Sequence, residues 1–168
     1  AMVKTTRFVG KTMGTTYSVV FLDSELDALT SVEAMQSVLD SALVALNDEV
    51  SNWEKGSTVV RFNQSGVGIS VIDAPHFLAN YQLALEAYEL SSGAFEPTIL
   101  PLTDYWGFGS GEERIKAGVD TAEVLRRLSM VGMEKISLEA DSFLRKLTPS
   151  VQLDLGGSAK GYGADLLA

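Results

Sequence analysis

The chain has 168 residues, a net charge of −9 and an apolar fraction of 46%. Such a composition is typical of a folded domain that buries a core, and the acidic balance argues against a nucleic-acid surface. The absence of cysteine excludes disulfides, thiolate nucleophiles and cysteine-based metal sites. No apolar run reaches the roughly 18 residues that a membrane-spanning helix requires.

The first predicted elements are two β-strands joined by a glycine-containing turn. Thr5 to Phe8 and Thr15 to Leu22 are rich in the β-branched and aromatic residues that favour strands. The turn between them, Gly10 to Thr15, contains the apolar residue Met13. Its local sequence favours a hairpin loop with Met13 tucked beneath it, and contact between Met13 and a flat ligand is the alternative.

A long helix and a polar segment come next. Apolar residues at helical spacing predict an amphipathic helix from Val32 to Val50, with Thr30 and Glu33 as a capping box. The segment from Ser51 to Asn63 is polar and is interpreted as a loop. The aromatic residues in this loop either anchor it or stack on a flat ring; they are Trp53 and Phe62.

Val67 to Ile72 is predicted to be a short strand, and Asp73-Ala74-Pro75 the start of a helix, because proline is well tolerated in a first helical turn. Ser91-Ser92-Gly93 is predicted to end this helix. His76 is the only histidine in the chain. It has no second metal ligand nearby in the sequence, which favours a solvated surface residue over a catalytic one.

The segment from Ala94 to Gly109 is the part of the chain richest in aromatic residues, proline and glycine. Its aromatic cluster between Tyr105 and Phe108 suits either a packed loop or a wall for a flat ring. Ser110 to Gly118 is predicted to be a polar loop. The acidic pair Glu112-Glu113 within it is interpreted as solvated and not as a metal site.

A helix is predicted from an Asp120 cap to Gly132. Lys135 to Leu138 and Phe143 to Leu147 alternate in polarity and predict a β-hairpin. Together the elements predict an α+β fold, with a mixed or antiparallel sheet and packed helices, in a single domain over residues 1–168. The sequence ends without helix-stop signals, so we expect it to be the N-terminal portion of a longer chain with an unfinished sheet.

The stretch from Val151 to Asp165 begins as an apolar run of strand type, turns through Gly156 and Gly157, and continues with helix-like composition. A glycine-rich turn into a helix exposes backbone N–H groups and lets a phosphate approach the main chain. Asp154 suits either a ligand contact or a turn cap, and Lys160 suits the neutralisation of a phosphate. By itself this pattern is also compatible with ordinary packing.

Several short segments of the chain form a recognisable set of motifs. Each segment is a weak signal alone, but their shared order and spacing are specific, and they span essentially the whole chain. The segments are Met13-Gly14-Thr15-Thr16-Tyr17, Ser51-x-Trp53-x-x-x-Ser57-x-x-x-Arg61-Phe62-Asn63, Ser92-Gly93-Ala94-Phe95-Glu96-Pro97-Thr98, Pro101-Leu102…Trp106-Gly107-Phe108-Gly109 and Leu153-Asp154-Leu155-Gly156-Gly157-Ser158-Ala159-Lys160-Gly161-Tyr162. Together they resemble the ApbE family, the FAD:protein FMN transferases.

The resemblance implies an ApbE-like, T-fold-like core that is incomplete at its C-terminus. It implies an enzyme that binds FAD, cleaves it with Mg2+, transfers FMN to a threonine of a redox-pump subunit and releases AMP. It also implies a lipid-anchored protein on the periplasmic side of the bacterial inner membrane. A Mg2+-dependent FAD pyrophosphatase and a flavin-binding module without chemistry are the alternatives.

The resemblance also implies site residues. The positions that match FAD contacts are Met13, Trp53, Ala94, Phe95, Glu96, Asp154 and Lys160. Gly157 matches a position whose backbone carbonyl binds the metal. Glu96 stands where the family usually has aspartate, so its side chain is one methylene longer. No catalytic residue is assigned, because the family's remaining metal ligands and its proposed base belong to a C-terminal half.

Overall fold

The computed structural model describes residues 4–23, 31–109 and 118–168. Within these ranges no helix is long and apolar enough to cross a membrane. A short 3-10 helix, Met133–Lys135, precedes the fourth strand. The other elements are, in chain order, β1 (Thr5–Thr12), β2 (Thr15–Leu22), α1 (Val32–Val50), α2 (Thr58–Gln64), β3 (Gly68–Ser70), α3 (Pro75–Leu90), α4 (Leu100–Tyr105), α5 (Thr121–Leu128), β4 (Ile136–Glu139), β5 (Phe143–Lys146) and α6 (Gly156–Leu167).

The strands form two antiparallel sheets. β1 and β2 pair along their whole length as a hairpin. In the second sheet β5 lies between β3 and β4, which confirms the predicted hairpin of β4 and β5. β3 is shorter than the strand predicted from Val67 to Ile72. With helices packed against these sheets, the arrangement is α+β, as predicted.

The β1–β2 turn is tighter than the sequence indicated. β1 continues to Thr12, so the turn consists of Met13 and Gly14, with φ angles of 48° and 69°. Two consecutive left-handed residues are typical of a two-residue hairpin turn that follows the strand twist. Gly10 lies within β1 instead of in the turn. The ring of its partner Tyr17 on β2 occupies the space where a side chain at Gly10 would be, which explains the glycine at this position.

The helix α1 confirms the prediction from Val32 to Val50. Ser31 caps it, and its hydroxyl accepts the N–H of Ala34 at 3.0 Å. The predicted capping partner Thr30 lies outside the described residues. So do the acidic pair Glu112-Glu113 and all of the predicted polar loop from Ser110 except Gly118.

The helix α2 corrects the interpretation of Ser51 to Asn63 as a loop. Ser57 caps the helix by accepting the N–H of Val60 at 3.2 Å. Phe62 is fully buried in the core, so it does not offer a surface to a ligand. The segment was interpreted as a loop because the side chains on the outer face of α2 are polar, although the inner face of this short helix is apolar.

The core lies between α1, α2, α3, the three-stranded sheet and the segment 151–155. Its fully buried residues include Leu46, Val59, Phe62, Phe77, Leu144, Val151, Leu153 and Leu155. The prediction of a strand in the segment 151–155 is wrong. Its alternate apolar side chains are buried as in a strand, but none of the described strands pairs with its main chain.

The start of α3 is as predicted, but the environment of His76 is not. His76 is half-buried, and its Nδ1 lies 3.1 Å from the hydroxyl of Tyr162 on α6. The two rings meet edge to face with centroids 5.9 Å apart. The histidine therefore joins the first turn of α3 to α6. At the other end, Ser92 and Gly93 follow the helix with φ angles of 53° and 82°.

The helix α5 begins at the predicted cap but ends earlier than predicted. The carboxylate of Asp120 accepts the N–H groups of Ala122 and Glu123 at 2.9 and 3.2 Å. The helix stops at Leu128, and Gly132, with a φ of 144°, enters the following 3-10 helix instead of closing α5. The cap therefore confirms the predicted start, whereas the glycine belongs to the next element.

Candidate functional site

The N-terminus of α6 is the place where the predicted site residues converge. Gly156 and Gly157 are the first two residues of this 12-residue helix and do not form a separate turn, which corrects the prediction. Both are exposed, and Leu155 before them supplies no side-chain cap. The N–H groups of a first helical turn lack intrahelical acceptors and carry partial positive charge. Within this turn the N–H of Gly156 donates to Asp154 and that of Ser158 to the carbonyl of Leu155, which leaves the N–H of Gly157 to face the surface.

Asp154 lies immediately before this helix and is held from two sides. Its Oδ1 accepts the N–H of Gly156 at 2.9 Å and lies 3.4 Å from the Nδ2 of Asn52. Its own N–H donates to the carbonyl of Pro97 at 2.7 Å. The carboxylate thus caps the turn while it stands at the edge of the exposed helix end.

A small hollow of about 90 Å³ lies beside the start of α6 and is called the α6 hollow below. It is much smaller than the roughly 300–1,000 Å³ of a usual ligand pocket, so by itself it does not enclose a ligand. The residues that line it are Met13, Asn47, Val50, Ser51, Asn52, Trp53, Asp154, Gly156, Ala159 and Lys160. Four of the predicted FAD-contact positions therefore meet here: Met13, Trp53, Asp154 and Lys160.

The tip of the β1–β2 hairpin forms one side of the α6 hollow. Asn47 on α1 donates to the hydroxyl of Thr12 at 2.8 Å, which fixes the hairpin against the helix. Met13 is partly buried against the core. A Cβ on Gly163 would lie 3.1 Å from Leu46 and 3.8 Å from the methyl of Met13, so α6 approaches both elements closely at this glycine. Met13 is therefore tucked inward, as predicted, and it also lines the hollow, whereas its contact with a flat ligand stays a prediction.

The side chains of Trp53 and Lys160 offer accessible groups at the same hollow. Trp53 is 71% exposed, in contrast to the buried Phe62. Lys160 is exposed and follows Gly156 by four residues, which places it on the same face of α6. An indole face and a cation therefore flank the helix end.

The segment after α3 lies against the other side of the helix start. The N–H of Phe95 donates to the hydroxyl of Ser91 at 2.9 Å, and the aromatic ring reaches Gly157. Ala94 is exposed. Of the predicted contacts Ala94 and Phe95, the structure thus brings Phe95 to α6, and neither residue lines the α6 hollow.

Glu96 is held within its own turn. Its Oε1 accepts the N–H and the hydroxyl of Thr98 at 2.9 and 2.6 Å. The fully buried Thr98 in turn accepts the N–H of Gly132 at 2.6 Å. This network fixes the turn whose Pro97 carbonyl bonds Asp154.

A buried lysine lies behind the site. Lys146 is 5% exposed, and its Nζ donates to the carbonyls of Asn63 and Pro149 at 3.0 and 3.2 Å. The Nζ also lies 5.0 Å from the ring centroid of Phe62. Burial lowers the pKa of Lys146 from 10.5 to about 8. Lys146 thereby joins the end of α2 to the segment that leads to Asp154.

Sequence reasoning missed the amide side chains of Asn52 and Asn63. Asn63 bonds both main-chain groups of Leu153, and Asn52 bonds the same carbonyl at 3.3 Å. Asn63 stood in a family motif without an assigned role. Its partner lies 90 residues away, so no local pattern identifies the contact.

The predicted aromatic wall from Tyr105 to Phe108 does not line the α6 hollow. The hydroxyl of Tyr105 accepts the N–H of Asp120 at 2.8 Å. Trp106 and Phe108 are 44% and 82% exposed. Tyr105 is the last residue of α4, which corrects the predicted loop, and its bond to Asp120 gives it a packing role.

The described residues do not by themselves make a magnesium site. None of them form a group of three histidine, cysteine, aspartate or glutamate residues that could hold a metal ion. The carbonyl of Gly157 is one neutral oxygen in the first turn of α6, and Asp154 is already engaged by Gly156 and Asn52. Mg2+ requires near-octahedral oxygen coordination, which these groups fall short of supplying.

The family model for ApbE matches residues 13–168. The chain belongs to the ApbE family. It is 33% identical over 163 residues to an FAD:protein FMN transferase of Haemophilus influenzae, covering 95% of this chain and 46% of the relative. This family membership and the α+β fold agree with the resemblance seen in the sequence.

Solved structures show the same fold. The flavin transferase ApbE from Vibrio cholerae matches with a TM-score of 0.89 at 28% identity, covering 99% of this chain and 52% of that one. The flavinyl transferase ApbE from Pseudomonas stutzeri, in its apo form, matches with a TM-score of 0.83 at 28% identity, covering 98% and 54%. The chain spans about half the length of the relatives it matches. The FAD and metal assignments to individual residues stay predictions.

Proposed function

We propose that this chain forms the FAD-binding part of an FAD:protein FMN transferase. In the proposed reaction a threonine hydroxyl of a protein acceptor attacks the FMN phosphorus of FAD. A new phosphorus–oxygen bond forms, the pyrophosphate bond breaks, AMP leaves and the hydroxyl proton is lost. The observation that carries the proposal is that Met13, Trp53, Asp154 and Lys160 meet at the α6 hollow. The names of the relatives support the substrate and the transferred group.

The chemistry of the site fits a flavin dinucleotide. The N–H of Gly157 in the first turn of α6 suits a phosphate oxygen, whereas those of Gly156 and Ser158 already donate to Asp154 and Leu155. The cation of Lys160 on the same face would offset the phosphate charge. In a chain with a net charge of −9, such local donors are needed to attract an anion. The exposed indole of Trp53 and the thioether of Met13 suit the flat, largely apolar isoalloxazine ring.

The finer parts of the proposal rest on the family resemblance. We propose that the acceptor is a subunit of a membrane redox pump. We also propose that the complete protein is lipid-anchored on the periplasmic side of the bacterial inner membrane. A Mg2+ requirement is proposed for the complete transferase, with Gly157 giving at most one carbonyl ligand. The described residues do not complete the coordination of Mg2+.

The test is AMP release from FAD in the presence of Mg2+ and a threonine-bearing acceptor. The chain alone is compared with the same chain supplied with the second half of a relative, either fused to it or as a separate polypeptide. We expect AMP release and a flavin-labelled acceptor only when both halves are present.

The alternatives give different results in the same assay. AMP and free FMN without labelled acceptor would indicate an FAD pyrophosphatase. Saturable FAD binding without cleavage by the combined halves would indicate a flavin-binding module. Full turnover by the chain alone would place all catalytic groups within residues 1–168 and refute the proposed division between the halves.

A further inference from the structure

The side chain of Asn63 takes the place of a neighbouring strand for the segment before α6. Its Oδ1 accepts the N–H of Leu153 at 2.7 Å, and its Nδ2 donates to the carbonyl of the same residue at 2.9 Å. Leu153 is fully buried, so its main-chain groups need partners within the protein. One amide group therefore satisfies both of them.

A second amide carries this contact to the carboxylate at the site. The Oδ1 of Asn52 accepts a hydrogen bond from the Nδ2 of Asn63 at 3.0 Å. The Nδ2 of Asn52 lies 3.3 Å from the carbonyl of Leu153 and 3.4 Å from the Oδ1 of Asp154. Asn63 thus reaches Asp154 by two routes, along the main chain through Leu153 and through the side chain of Asn52.

Asn63 is itself fixed from behind. It lies near the end of α2, and its carbonyl accepts the Nζ of Lys146 at 3.0 Å. Lys146 also bonds Pro149, at the entry to the segment that leads to Leu153. The buried Lys146 and the capped helix α2 therefore fix the position of Asn63, which bonds the main chain of the segment before α6.

We propose that Asn63 is a positioning residue that sets the direction of the Asp154 carboxylate and of the first turn of α6 toward FAD. This inference rests on the proposed function, because it assigns Asn63 a role in that same site. The segment between Leu153 and Gly156 has no strand partner in the described part of the chain. Besides Asn63 and Asn52, its anchor is the bond from the N–H of Asp154 to the carbonyl of Pro97. Loss of the Asn63 amide would leave the segment held by the Pro97 bond and by the longer contacts of Asn52, which would itself lose the bond that Asn63 donates to it.

The test compares substitutions at Asn63 with a control on the same helix end. Asn63→Ala removes both bonds to Leu153. Asn63→Asp keeps an oxygen that accepts the N–H of Leu153 but loses the amide group that donates to the Leu153 carbonyl. The control is Ser65→Ala, because the Ser65 hydroxyl bonds the carbonyl and the N–H of Gly68 at 2.8 and 3.0 Å and has no bond to Leu153 or Asp154. The control therefore destabilises the end of α2 without touching the site.

Three quantities are measured for each protein: the melting temperature, the exchange rates of the Leu153 and Gly156 amides, and the dissociation constant for FAD from flavin fluorescence. Asn63→Ala is expected to speed both exchange rates. It is also expected to weaken FAD binding about tenfold, because Asp154 and the first turn of α6 would then have to be ordered on binding. Asn63→Asp should fall between it and the wild type. Ser65→Ala should lower the melting temperature but leave the exchange rates and FAD binding unchanged.

Each possible outcome decides a question. Equal loss of FAD affinity in Ser65→Ala and Asn63→Ala, at equal melting temperature, would make Asn63 merely structural and overturn the inference. Unchanged exchange and affinity in Asn63→Ala would overturn it as well. If Asn63→Ala does not fold, Asn63→Asp is compared with Ser65→Ala on the same criteria. If the wild type binds no FAD, the proposed function fails for this chain, and the amide exchange rates still decide whether Asn63 holds the segment.

Discussion

The ring of Phe95 lies against the main chain of Gly157 in the first turn of α6. A Cβ built on Gly157 would be 2.7 Å from the Cε2 of Phe95 and 3.1 Å from its Cζ. The first distance is shorter than carbon atoms tolerate and the second is tight, so the absence of a side chain at Gly157 is what lets the ring approach. The glycine therefore has a packing role in addition to any role at the FAD site.

Gly157→Ala is predicted to lose the stabilisation that alanine normally brings to a helix. Replacing an exposed helical glycine by alanine stabilises by about 0.5–1 kcal/mol, whereas overpacking costs about 1–3 kcal/mol. Gly161→Ala is the matched control, because a Cβ at Gly161 in the same helix meets no atom within 4 Å. Urea unfolding should show Gly161→Ala as stabilising and Gly157→Ala as neutral or destabilising.

A gain in stability for Gly157→Ala equal to that of Gly161→Ala would show that Phe95 moves aside freely. The double variant Gly157→Ala with Phe95→Leu separates the two contributions. It should recover part of the lost stability, because the smaller side chain leaves room for the new methyl group.

Trp53→Ala is predicted to weaken FAD binding with little effect on folding. The indole is 71% exposed and lines the α6 hollow, so its removal should change the free energy of unfolding by no more than about 0.5 kcal/mol. Loss of aromatic stacking should weaken binding by about 0.5–1.5 kcal/mol, in addition to the loss of buried apolar area. Trp106→Ala is the control, since Trp106 is also exposed but does not line the hollow.

Isothermal titration with FAD, of this chain or of the chain completed by a second half, measures the difference. Weaker binding is expected for Trp53→Ala alone. The same affinity in Trp53→Ala and the wild type would remove Trp53 from the FAD site, and a loss in Trp106→Ala would point to a different wall.

The elements predicted well from the sequence are those whose signals are local. The helix α1 is marked by its apolar spacing, α3 by Pro75 at its start, and the β4–β5 hairpin by alternating polarity. The segment 151–155 shows the limit of this reasoning. Alternating apolar residues correctly indicated that Val151, Leu153 and Leu155 are buried, but they do not tell whether the main chain pairs with a strand or with a side chain.

The candidate site was found from the sequence only in outline. Family motifs indicated Met13, Trp53, Asp154 and Lys160, which the structure brings to one hollow. The same motifs gave no reason for Asn63, since its partner is set by the tertiary fold. The difference in exposure between Trp53 and the buried Phe62 likewise depends on α2. The polar composition of the segment gave no indication of this helix.

Lys146 is predicted to make stability depend on pH in alkaline solution. Its pKa is about 8 in the folded chain, below the ordinary value of 10.5, because burial disfavours the cation. Between these values the unfolded chain binds the proton and the folded chain does not, so the free energy of unfolding rises with pH across that window. Below about pH 8 both states are protonated and this contribution to pH dependence vanishes.

The comparison with Lys146→Met isolates this effect, because methionine fills similar space without a charge. Urea unfolding of both proteins from pH 7.5 to about 10.5 should show the stability of the wild type rising relative to the variant. Burial also raises the pKa of Tyr81, which reduces stability at high pH, but this group is common to both proteins. A difference that does not change with pH would contradict the lowered pKa of Lys146.

Glu49 is predicted to stabilise α3 from outside that helix. Ala74 offers no capping side chain, and the Oε2 of Glu49 on α1 accepts the N–H of Phe77 at 2.8 Å instead. Loss of a cap costs about 0.5–2 kcal/mol, so Glu49→Ala should lower the free energy of unfolding by that amount. Asp48→Ala removes the same charge from the neighbouring, exposed position and should have almost no effect. Equal effects of the two substitutions in urea unfolding would assign the change to net charge and not to the cap.

The last prediction concerns Mg2+ and follows from the oxygen atoms at the start of α6. The carbonyl of Gly157 is neutral, and the Asp154 carboxylate already accepts the N–H of Gly156. Lys160 on the same face of the helix repels a cation unless a phosphate lies between them. Because Mg2+ also releases its water reluctantly, we expect no saturable Mg2+ binding to the chain alone.

Isothermal titration with Mg2+ in the absence and presence of FAD tests this expectation. Without FAD the chain should give only the small, non-saturating heats of weak surface binding, and Lys160→Ala should not create a site, because the oxygen ligands are still too few. With FAD, phosphate oxygens add ligands and neutralise Lys160, so any Mg2+ binding should require the nucleotide. Saturable binding of one Mg2+ without FAD, abolished by Asp154→Asn, would show that these residues complete a metal site and would contradict the prediction.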